Sequence, residues 1–217
     1  MRTLALVAAS GLAREVLEVE RAIGRYRRFL LVDDDPGLWE TWIDGVPVVG
    51  PVEQAASLED SDLLVCAGRG STRRGLVRRL AALGVTPGRY TQCWHPELRL
   101  PPTCVIGAGS ILLGQVVLTT GVRLSQHVVA MPHVTLTHDD VVHDYATLCA
   151  GVSLGGHVTV GEAAYLGMNS SVREHVRVGR GATLGMGATL LRDQHDGETW
   201  YGVPAAPAHD RAGRLVP

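Results

Sequence analysis

The chain has 217 residues, a hydrophobic fraction of 46% and a formal net charge of -2. This length is enough for one large domain or two small ones with a real core, and the hydrophobic fraction excludes a disordered chain. The near balance of charges gives no indication of a nucleic-acid partner or an anionic membrane surface. The longest apolar run falls well short of the about 20 residues of a membrane span, so a transmembrane protein is not expected.

Two features of the composition predict the kind of core. Glycine is frequent, with 26 residues, and phenylalanine occurs once, so we expect many tight or left-handed backbone positions around an aliphatic core. The cysteines show no CxxC spacing, and the start of the chain lacks a cleavable signal pattern. These observations predict a cytoplasmic protein with free, buried thiols and no metal site. The cysteines are Cys66, Cys93, Cys104 and Cys149.

The first 88 residues alternate strand and helix signals. Strands are predicted at Thr3–Ala8, Phe29–Val32, Val46–Val49 and Leu63–Ala67, and helices over Leu12–Ile23 and from about Thr72 to Leu83. This β-α-β order predicts a parallel sheet with right-handed crossovers, which is a small Rossmann-like domain over residues 1–88. Residues 89–103 contain three prolines and are predicted to be a connector.

Residues 104–193 repeat with a strict period of six. The third residue of every hexad, counted from Cys104, is aliphatic in all fifteen hexads. Those residues are Ile106, Leu112, Leu118, Leu124, Ala130, Leu136, Val142, Leu148, Leu154, Val160, Leu166, Val172, Val178, Leu184 and Leu190. A parallel β-helix imposes this period, because each hexad forms one short strand and one corner. Three hexads make a coil, so we expect about five coils, followed by a C-terminal tail over residues 194–217.

The sixth hexad position tests the β-helix prediction. It is occupied by Gly109, Gly121, Gly151, Gly181, Gly187, His127, His133, His157, His175, Asp139, Asp193 and Asn169, with Gln115, Tyr145 and Ala163 as exceptions. Glycine, asparagine, aspartate and histidine are the residues that tolerate a positive φ. We therefore predict a left-handed residue at each corner, which also explains the glycine excess.

Short segments along the chain resemble, in order, those of one superfamily. They are Arg14-Glu15-Val16, Val32-Asp33-Asp34-Asp35-Pro36, Gly45-Val46-Pro47-Val48-Val49-Gly50, Thr72-Arg73-Arg74, His95-Pro96, Thr137-His138-Asp139, Gly167-Met168-Asn169 and Gly202-Val203-Pro204-Ala205. The second half resembles the left-handed β-helix (hexapeptide-repeat) acyltransferases. Nearly the whole chain is similar to bacterial sugar O/N-acyltransferases with a Rossmann-like N-terminal domain. These include the sugar-nucleotide N-acetyltransferases and the sialic acid O-acetyltransferases.

The resemblance implies a homotrimer that binds acetyl-CoA between neighbouring β-helices and a nucleotide-linked amino sugar in the N-terminal domain. The substrate-binding residues that it implies are Ser10, Gly11, Asp33, Asp34, Gly68 and Arg69. The residues that it implies for acetyl-CoA are Thr147, Gly167, Asn169, Gly185 and Gly202. For Asp33 and Asp34, a polar turn at the end of a strand remains an alternative.

Among the nine histidines, His138 is the candidate for catalysis. Seven are accounted for by their place in the chain: the corner position for His127, His133, His157 and His175, the tail for His195 and His209, and the domain junction for His95. His138 and His143 remain, and His138 falls on the catalytic histidine of the family that the chain resembles. An imidazole can take the proton that an attacking amine must lose, and a carboxylate can fix its tautomer. We assign His138 as base and Asp139 as its orienting partner, with Asp140 as the alternative. The resemblance also implies an oxyanion donor near Gly155 or Gly156.

Two departures from the family pattern bear on activity. The loop after the first strand has Ala8-Ala9-Ser10-Gly11-Leu12-Ala13 where the family has close to G-x-G-x-x-G, so only Gly11 is retained. Methyl groups there weaken the fit to a phosphate. Thr147 occupies the position at which the family often has a second histidine near the acyl group.

Four other hypotheses remain open from the sequence. The acceptor could be a sugar hydroxyl, or the protein could be an inactive trimeric scaffold. Zinc chemistry could use either the column Asp139, His157 and His175 or the series His133, His138 and His143. A covalent route through Cys149 is the fourth, although a buried small hydrophobic residue is the preferred interpretation of that cysteine.

Overall fold

The structure is a computed structural model that describes residues 2–208. The end of the predicted tail, including His209, lies outside the described residues. The two long helices have 13 residues each, and within residues 2–208 no helix combines the length and the apolarity that a membrane crossing demands.

The N-terminal part has the predicted β-α-β order. Its elements are β1 (Thr3–Val7), α1 (Gly11–Ile23), β2 (Arg28–Val32), a 3-10 turn (Pro36–Leu38), β3 (Trp42–Ile43), β4 (Val46–Pro47), α2 (Gln54–Ser57), β5 (Ser61–Val65), α3 (Gly70–Ala82) and a 3-10 turn (Pro87–Arg89). The parallel sheet has the order β2-β1-β5. The predicted strand Val46–Val49 is shorter and pairs with β3 as an antiparallel hairpin. Leu83, at the end of the predicted second helix, is exposed because α3 has already ended.

The second half is the predicted left-handed parallel β-helix, built from two-residue strands. In chain order β6 is Cys93–Trp94, and β7 to β21 are Val105–Ile106, Ile111–Leu112, Val117–Leu118, Arg123–Leu124, Val129–Ala130, Thr135–Leu136, Val141–Val142, Thr147–Leu148, Ser153–Leu154, Thr159–Val160, Tyr165–Leu166, Ser171–Val172, Arg177–Val178, Thr183–Leu184 and Thr189–Leu190. β22 (Thr199–Tyr201) and β23 (Ala206–Pro207) follow.

The strands stack into three faces of a prism. Face A contains β7, β10, β13, β16 and β19; face B contains β8, β11, β14, β17 and β20; face C contains β9, β12, β15, β18 and β21. Strand β6, inside the predicted connector, precedes β8 on face B, and β22 follows β20 there. The prediction of about five coils is therefore confirmed: five coils are complete, and β22 begins another.

The interior of the prism has the predicted aliphatic composition. All fifteen third-position residues are buried, with at most 8% of their surface exposed. Fourteen of the fifteen corner residues have a positive φ, including the compositional exceptions Gln115, Tyr145 and Ala163. Asp193 is the corner residue without a positive φ, and its carboxylate accepts a hydrogen bond from the Arg177 amide at 2.8 Å.

The N-terminal domain packs on face B. Ile111, Leu113 and Val129 of the β-helix lie in one hydrophobic cluster with Leu6 and Val16 of the N-terminal domain. Ile111 and Val129 point outward from face B yet are fully buried, because the N-terminal domain covers them. This packing leaves face C and the edge between faces C and A away from the N-terminal domain.

Candidate active site

The predicted substrate loops meet at one edge of the parallel sheet. Val7 pairs with both Val32 and Val65, so the three strands end at the same level. The segments that follow them, Ser10–Gly11, residues 33–34 and Gly68–Arg69, therefore lie side by side. The carboxyl edge of an open parallel sheet is where such domains bind ligands.

The loop after β1 is held by hydrogen bonds despite its missing glycines. The Ser10 hydroxyl accepts a hydrogen bond from the Ala13 amide and donates one to the Cys66 carbonyl, so Ser10 is the N-cap of α1. Ala8 has a φ of 78°, the left-handed conformation that glycine adopts more readily. A Cβ at Gly11 would meet no atom within 4 Å. The loop keeps a glycine-like conformation, and the space above Gly11 is open to a ligand.

Both acidic residues after β2 already have partners. The Asp33 carboxylate accepts hydrogen bonds from the Ala9 amide at 2.7 Å and the Asp35 amide at 2.9 Å. Arg79 donates from both terminal nitrogens to Asp34, at 2.7 and 2.9 Å, and holds the pKa of that carboxyl below its ordinary value. The expectation that these two residues bind the substrate stays a prediction: the bonds favour the turn alternative, in which the carboxylates stabilise the loop and α3, and the Asp34 side chain is half exposed.

A cleft lies beside Arg69, where α3 meets the edge between faces A and B. Its volume is about 310 Å³. The Arg69 guanidinium lies over the ring of Tyr165 at 5.1 Å. Two further arginines line this cleft, Arg74 and Arg180, and both are paired with carboxylates. Arg69 is the cleft arginine that has an aromatic partner in place of a carboxylate, so its charge is available to an anionic ligand.

His138 and Asp139 form a hydrogen-bonded pair on the edge between faces C and A. The His138 Nδ1 lies 3.0 Å from the Asp139 Oδ2, and both side chains are about half exposed. Neighbours in sequence can pair in this way because Asp139 has a φ of 63°, which turns the chain at the corner. Nδ1 of His138 therefore faces the carboxylate, and Nε2 of His138 is left free to accept a proton or a hydrogen bond.

Gly156 makes room for the His138 ring. A Cβ at position 156 would overlap Nε2 and Cε1 of His138. Gly156 has no positive φ, so its absent side chain, not its backbone conformation, is what the structure uses. The family resemblance implies Gly156 only as an oxyanion donor, and no sequence signal indicates this packing role.

Two further histidines continue the same edge. His157 Nε2 lies 3.6 Å from the Asp139 Oδ2, and its ring contacts His138 edge-on. His175 stacks on His157 with ring planes only 10° apart. Stacked rings direct their nitrogen lone pairs in parallel and not to one point, so the Asp139, His157 and His175 column does not have the geometry of a zinc site.

Asp140 is not the alternative orienting partner. Its side chain points into the prism and is fully buried. The Thr137 amide donates to its Oδ2 at 2.8 Å and the Val158 amide to its Oδ1 at 2.9 Å. Burial raises the pKa of Asp140 to about 6. Both oxygens are bonded to backbone, so the assignment of Asp140 as the imidazole's partner is corrected.

The expectation that Thr147 contacts the acyl donor is also corrected. Thr147 lies on face B beneath the N-terminal domain and is fully buried. Its hydroxyl accepts a hydrogen bond from Arg73 at 3.0 Å and donates one to the Gly68 carbonyl at 2.9 Å. A cofactor cannot reach this hydroxyl, because the domain junction uses it.

The remaining residues expected to bind acetyl-CoA lie along the edge between faces B and C. Gly167 and Gly185 are buried, and a Cβ at Gly167 would lie 2.7 Å from the Met186 amide. At Gly185 the Tyr201 ring occupies the space. These two glycines therefore allow coils to stack closely. Asn169 and Gly202 are exposed on this edge and remain available to a ligand.

Two alternatives lose their geometric basis. His133, His138 and His143 lie on three different edges of the prism, so one chain cannot direct them to a shared ion. Cys149 is buried, and burial raises the pKa of its thiol. It lies on the edge between faces B and C, away from His138, so a covalent route through it has no base.

Comparison with known proteins agrees with this architecture. The family model of the PglD N-terminal domain matches residues 3–80. The acetyltransferase domain of PglB from Neisseria gonorrhoeae FA1090 is 30% identical, with a TM-score of 0.87 over 96% of this chain and 100% of that chain. Its complex with acetyl coenzyme A gives 31% identity and a TM-score of 0.88 over 95% of this chain and 99% of that chain.

A second similar protein of known structure is a histidine-to-asparagine variant of perosamine N-acetyltransferase from Caulobacter crescentus with CoA and GDP-perosamine. It is 26% identical, with a TM-score of 0.87 over 96% of this chain and 97% of that chain. The fold and the similarity to these solved structures define the protein as a left-handed β-helix acyltransferase with a Rossmann-like N-terminal domain. The chain belongs to the family represented by the acetyltransferase domain of PglB.

Proposed function

We propose that the protein transfers the acetyl group of acetyl-CoA to the amino group of a nucleotide-linked amino sugar, with His138 as the general base. The observation that supports this most directly is the His138–Asp139 pair, in which Nδ1 faces a carboxylate and Nε2 is free. The relatives described above include one complex with acetyl coenzyme A and one with CoA and GDP-perosamine.

The reaction proceeds by direct attack. The amine nitrogen bonds to the thioester carbonyl carbon, and Nε2 of His138 takes the proton that the nitrogen loses. Collapse of the tetrahedral intermediate breaks the carbon–sulfur bond, and the CoA thiolate leaves with the electron pair. The imidazolium then returns its proton to the thiolate or to water. Asp139 keeps the proton on Nδ1 and stabilises the imidazolium.

The sugar nucleotide occupies the loop edge of the N-terminal sheet. Ser10 and Gly11 are at the N-terminus of α1, where backbone amides attract an anion, and the space above Gly11 is open. Gly68 and Arg69 border the cleft beside Tyr165, so Arg69 supplies a cation for the diphosphate. Residues 1–88 are thus the proposed sugar-nucleotide domain and residues 104–193 the proposed acyl-transfer domain.

The active site is shared between protomers of a homotrimer. The substrate loops lie over face B, Asn169 and Gly202 lie on the edge between faces B and C, and His138 lies on the edge between faces C and A. One prism cannot bring these three together, whereas an edge of one prism placed against its neighbour can. Acetyl-CoA lies in the groove between them. The reaction is cytoplasmic, in keeping with free, buried cysteines.

The test is CoA release with a panel of nucleotide-linked 4-amino sugars and the matching 4-hydroxy sugars. Wild type is compared with His138→Asn and with His195→Asn, an exposed histidine away from the pair. We expect turnover with an amine, at least about 100-fold loss in His138→Asn and no change in His195→Asn. Turnover with hydroxyl acceptors alone would establish the O-acetyltransferase, and binding without turnover would establish a scaffold.

The shared site has its own test. His138→Asn removes the base, and Gly11→Trp blocks the substrate loop without meeting a neighbouring atom at Cβ. Each variant alone is expected to be inactive. Mixed trimers, formed by refolding the two together, are expected to regain part of the activity because some sites receive one intact half from each protomer. Absence of recovery in confirmed mixed trimers would place the whole site in one chain.

A further inference from the structure

The first hexad position on the edge between faces C and A contains one residue that does not fit its surroundings. From coil to coil this inward column is Cys104, Val122, Asp140, Val158 and Val176. The three valines belong to the hydrophobic core of the prism. Asp140 is as deeply buried as they are, with 0% of its surface exposed. A carboxylate therefore occupies a position where the same chain uses valine in the coil before and the coil after.

A buried charge at this position needs a reason, because taking a carboxylate out of water is costly and an apolar replacement is often at least as stable. The carboxylate accepts hydrogen bonds from the Thr137 amide on its own turn and from the Val158 amide in the next coil. One coil further on, the Val176 amide is the counterpart of the Val158 amide. It donates to the Arg173 carbonyl, so no side chain is needed as its acceptor. The coil can therefore be built without Asp140.

The turn that Asp140 anchors is the one that presents the proposed base. Thr137, His138 and Asp139 form the corner between β12 and β13, and Asp140 bonds to the first of these residues and closes the turn. The Thr137 hydroxyl is also bonded, to the Leu154 carbonyl at 3.0 Å. His138 itself has one side-chain hydrogen bond, to the half-exposed Asp139. The backbone of the turn at Thr137 is therefore held by several hydrogen bonds, whereas the His138 ring is held by one.

We propose that Asp140 is a positioning residue, which ties the His138 turn to the next coil and holds the imidazole where the acceptor amine must meet the thioester. This inference rests on the proposed function. Asp140 does not touch substrate or the reacting atoms. It acts through the Thr137 amide, and a shift of about 1 Å in such a base is enough to reduce turnover about 100-fold.

Charge adds a second consequence. The titratable groups that act on Asp140 are His138, whose positive charge favours the carboxylate, and Asp139, whose negative charge opposes it. The packed neighbours in its column are valines. Burial raises the pKa of Asp140 to about 6. Below that pH one carboxylate oxygen becomes an O–H donor facing a backbone amide, so we expect the turn to loosen.

The experiment compares Asp140→Val, Asp140→Ser and Ser110→Val with wild type. Val is the residue that the column uses above and below, and Ser keeps one acceptor, as Ser110 does for the Val128 amide at 3.1 Å. Ser110→Val is the matched control, since it removes an equivalent bond between coils on the edge between faces A and B. We expect Asp140→Val to fold with an unchanged or higher Tm, and to lose about 100-fold in kcat with KM within about twofold. Asp140→Ser is expected to recover part of kcat, and Ser110→Val to keep all of it.

Two readouts separate positioning from mere stability. Below about pH 6 the wild-type kcat is expected to fall more steeply with falling pH than that of Asp140→Val, because only wild type has the Asp140 carboxyl to protonate. Amide hydrogen exchange at Thr137 is expected to rise at least tenfold in Asp140→Val, and this needs no turnover. Wild-type kcat in Asp140→Val, unchanged exchange at Thr137, or a loss of Tm that accounts for the lost activity would each overturn the proposal. If wild type acetylates no amino sugar, the proposed function is wrong. The hydrogen-exchange result at Thr137 still shows, independently of turnover, whether Asp140 anchors the turn.

Discussion

The guanidinium of Arg73 donates a hydrogen bond to the hydroxyl of Thr147, and both side chains are fully buried at the junction between the N-terminal domain and the β-helix. Arg73 also donates to the carbonyls of Ala67, Gly68, His127, Tyr145 and Ala146. Within residues 2–208 no carboxylate pairs with it, and desolvation lowers the pKa of Arg73 to about 10. A cation satisfied by carbonyl oxygens from both domains fixes the substrate loop at Gly68 against face B.

Replacement of Arg73 is expected to be severely destabilising. Arg73→Met removes all the donors that Arg73 supplies to the junction and leaves several buried carbonyls unpaired, so we expect a loss of at least about 3 kcal/mol in the free energy of unfolding. Urea denaturation measures this. Arg2→Met, which breaks an exposed pair with Asp62, is the control and is expected to change stability little. A loss for Arg73→Met no larger than the control's would contradict the role of Arg73 at the junction.

Gly156 is expected to be essential for activity but not for folding. In Gly156→Ala the new methyl group occupies the space of the His138 ring, and the half-exposed ring can swing into solvent. We expect about a 100-fold loss of kcat with Tm nearly unchanged. Gly75→Ala is the control: its Cβ meets nothing within 4 Å, and in α3 alanine is expected to raise stability by about 0.5–1 kcal/mol without affecting kcat. Full activity in Gly156→Ala would show that the ring position observed here is not the working one.

His127 makes the stability of the protein sensitive to acid. It is buried between Tyr90 and Tyr145, and burial lowers the pKa of His127 to about 4. The unfolded chain binds a proton at an ordinary histidine pKa near 6.5, so between about pH 6.5 and 4 only the unfolded state gains it. Stability is therefore lost as the pH falls through this window, by at most about 3 kcal/mol.

His127→Asn checks this directly, because asparagine tolerates the φ of 55° at this corner and does not titrate. Urea midpoints of wild type and variant are measured from pH 7 to pH 4. We expect the variant to start less stable, since it loses the aromatic packing, but to lose less stability on acidification. Parallel pH profiles for the two proteins would show that His127 titrates equally in both states.

Local spacing rules were enough to predict the architecture and to narrow the candidate base to His138 and His143, and the family resemblance then selected His138. The six-residue period, the corner residues with positive φ and the aliphatic third position recur in every coil, so they can be recognised without knowing any partner. The position of His138 outside the corner rule, beside Asp139, follows from the same spacing. The strand and helix pattern of the first 88 residues is likewise a matter of local periodicity.

The roles of Asp34, Asp140 and Thr147 depend on contacts that form only in the folded protein. Their partners are Arg79, the Val158 amide and Arg73, which are distant in sequence and reach them only when helices dock and coils stack. The space that Gly156 leaves for His138 is of the same kind, because it depends on the next coil. A spacing rule predicts which face of the prism a residue occupies. The hydrogen-bond partners of a buried polar group depend instead on the chain segment that packs against it in the folded protein.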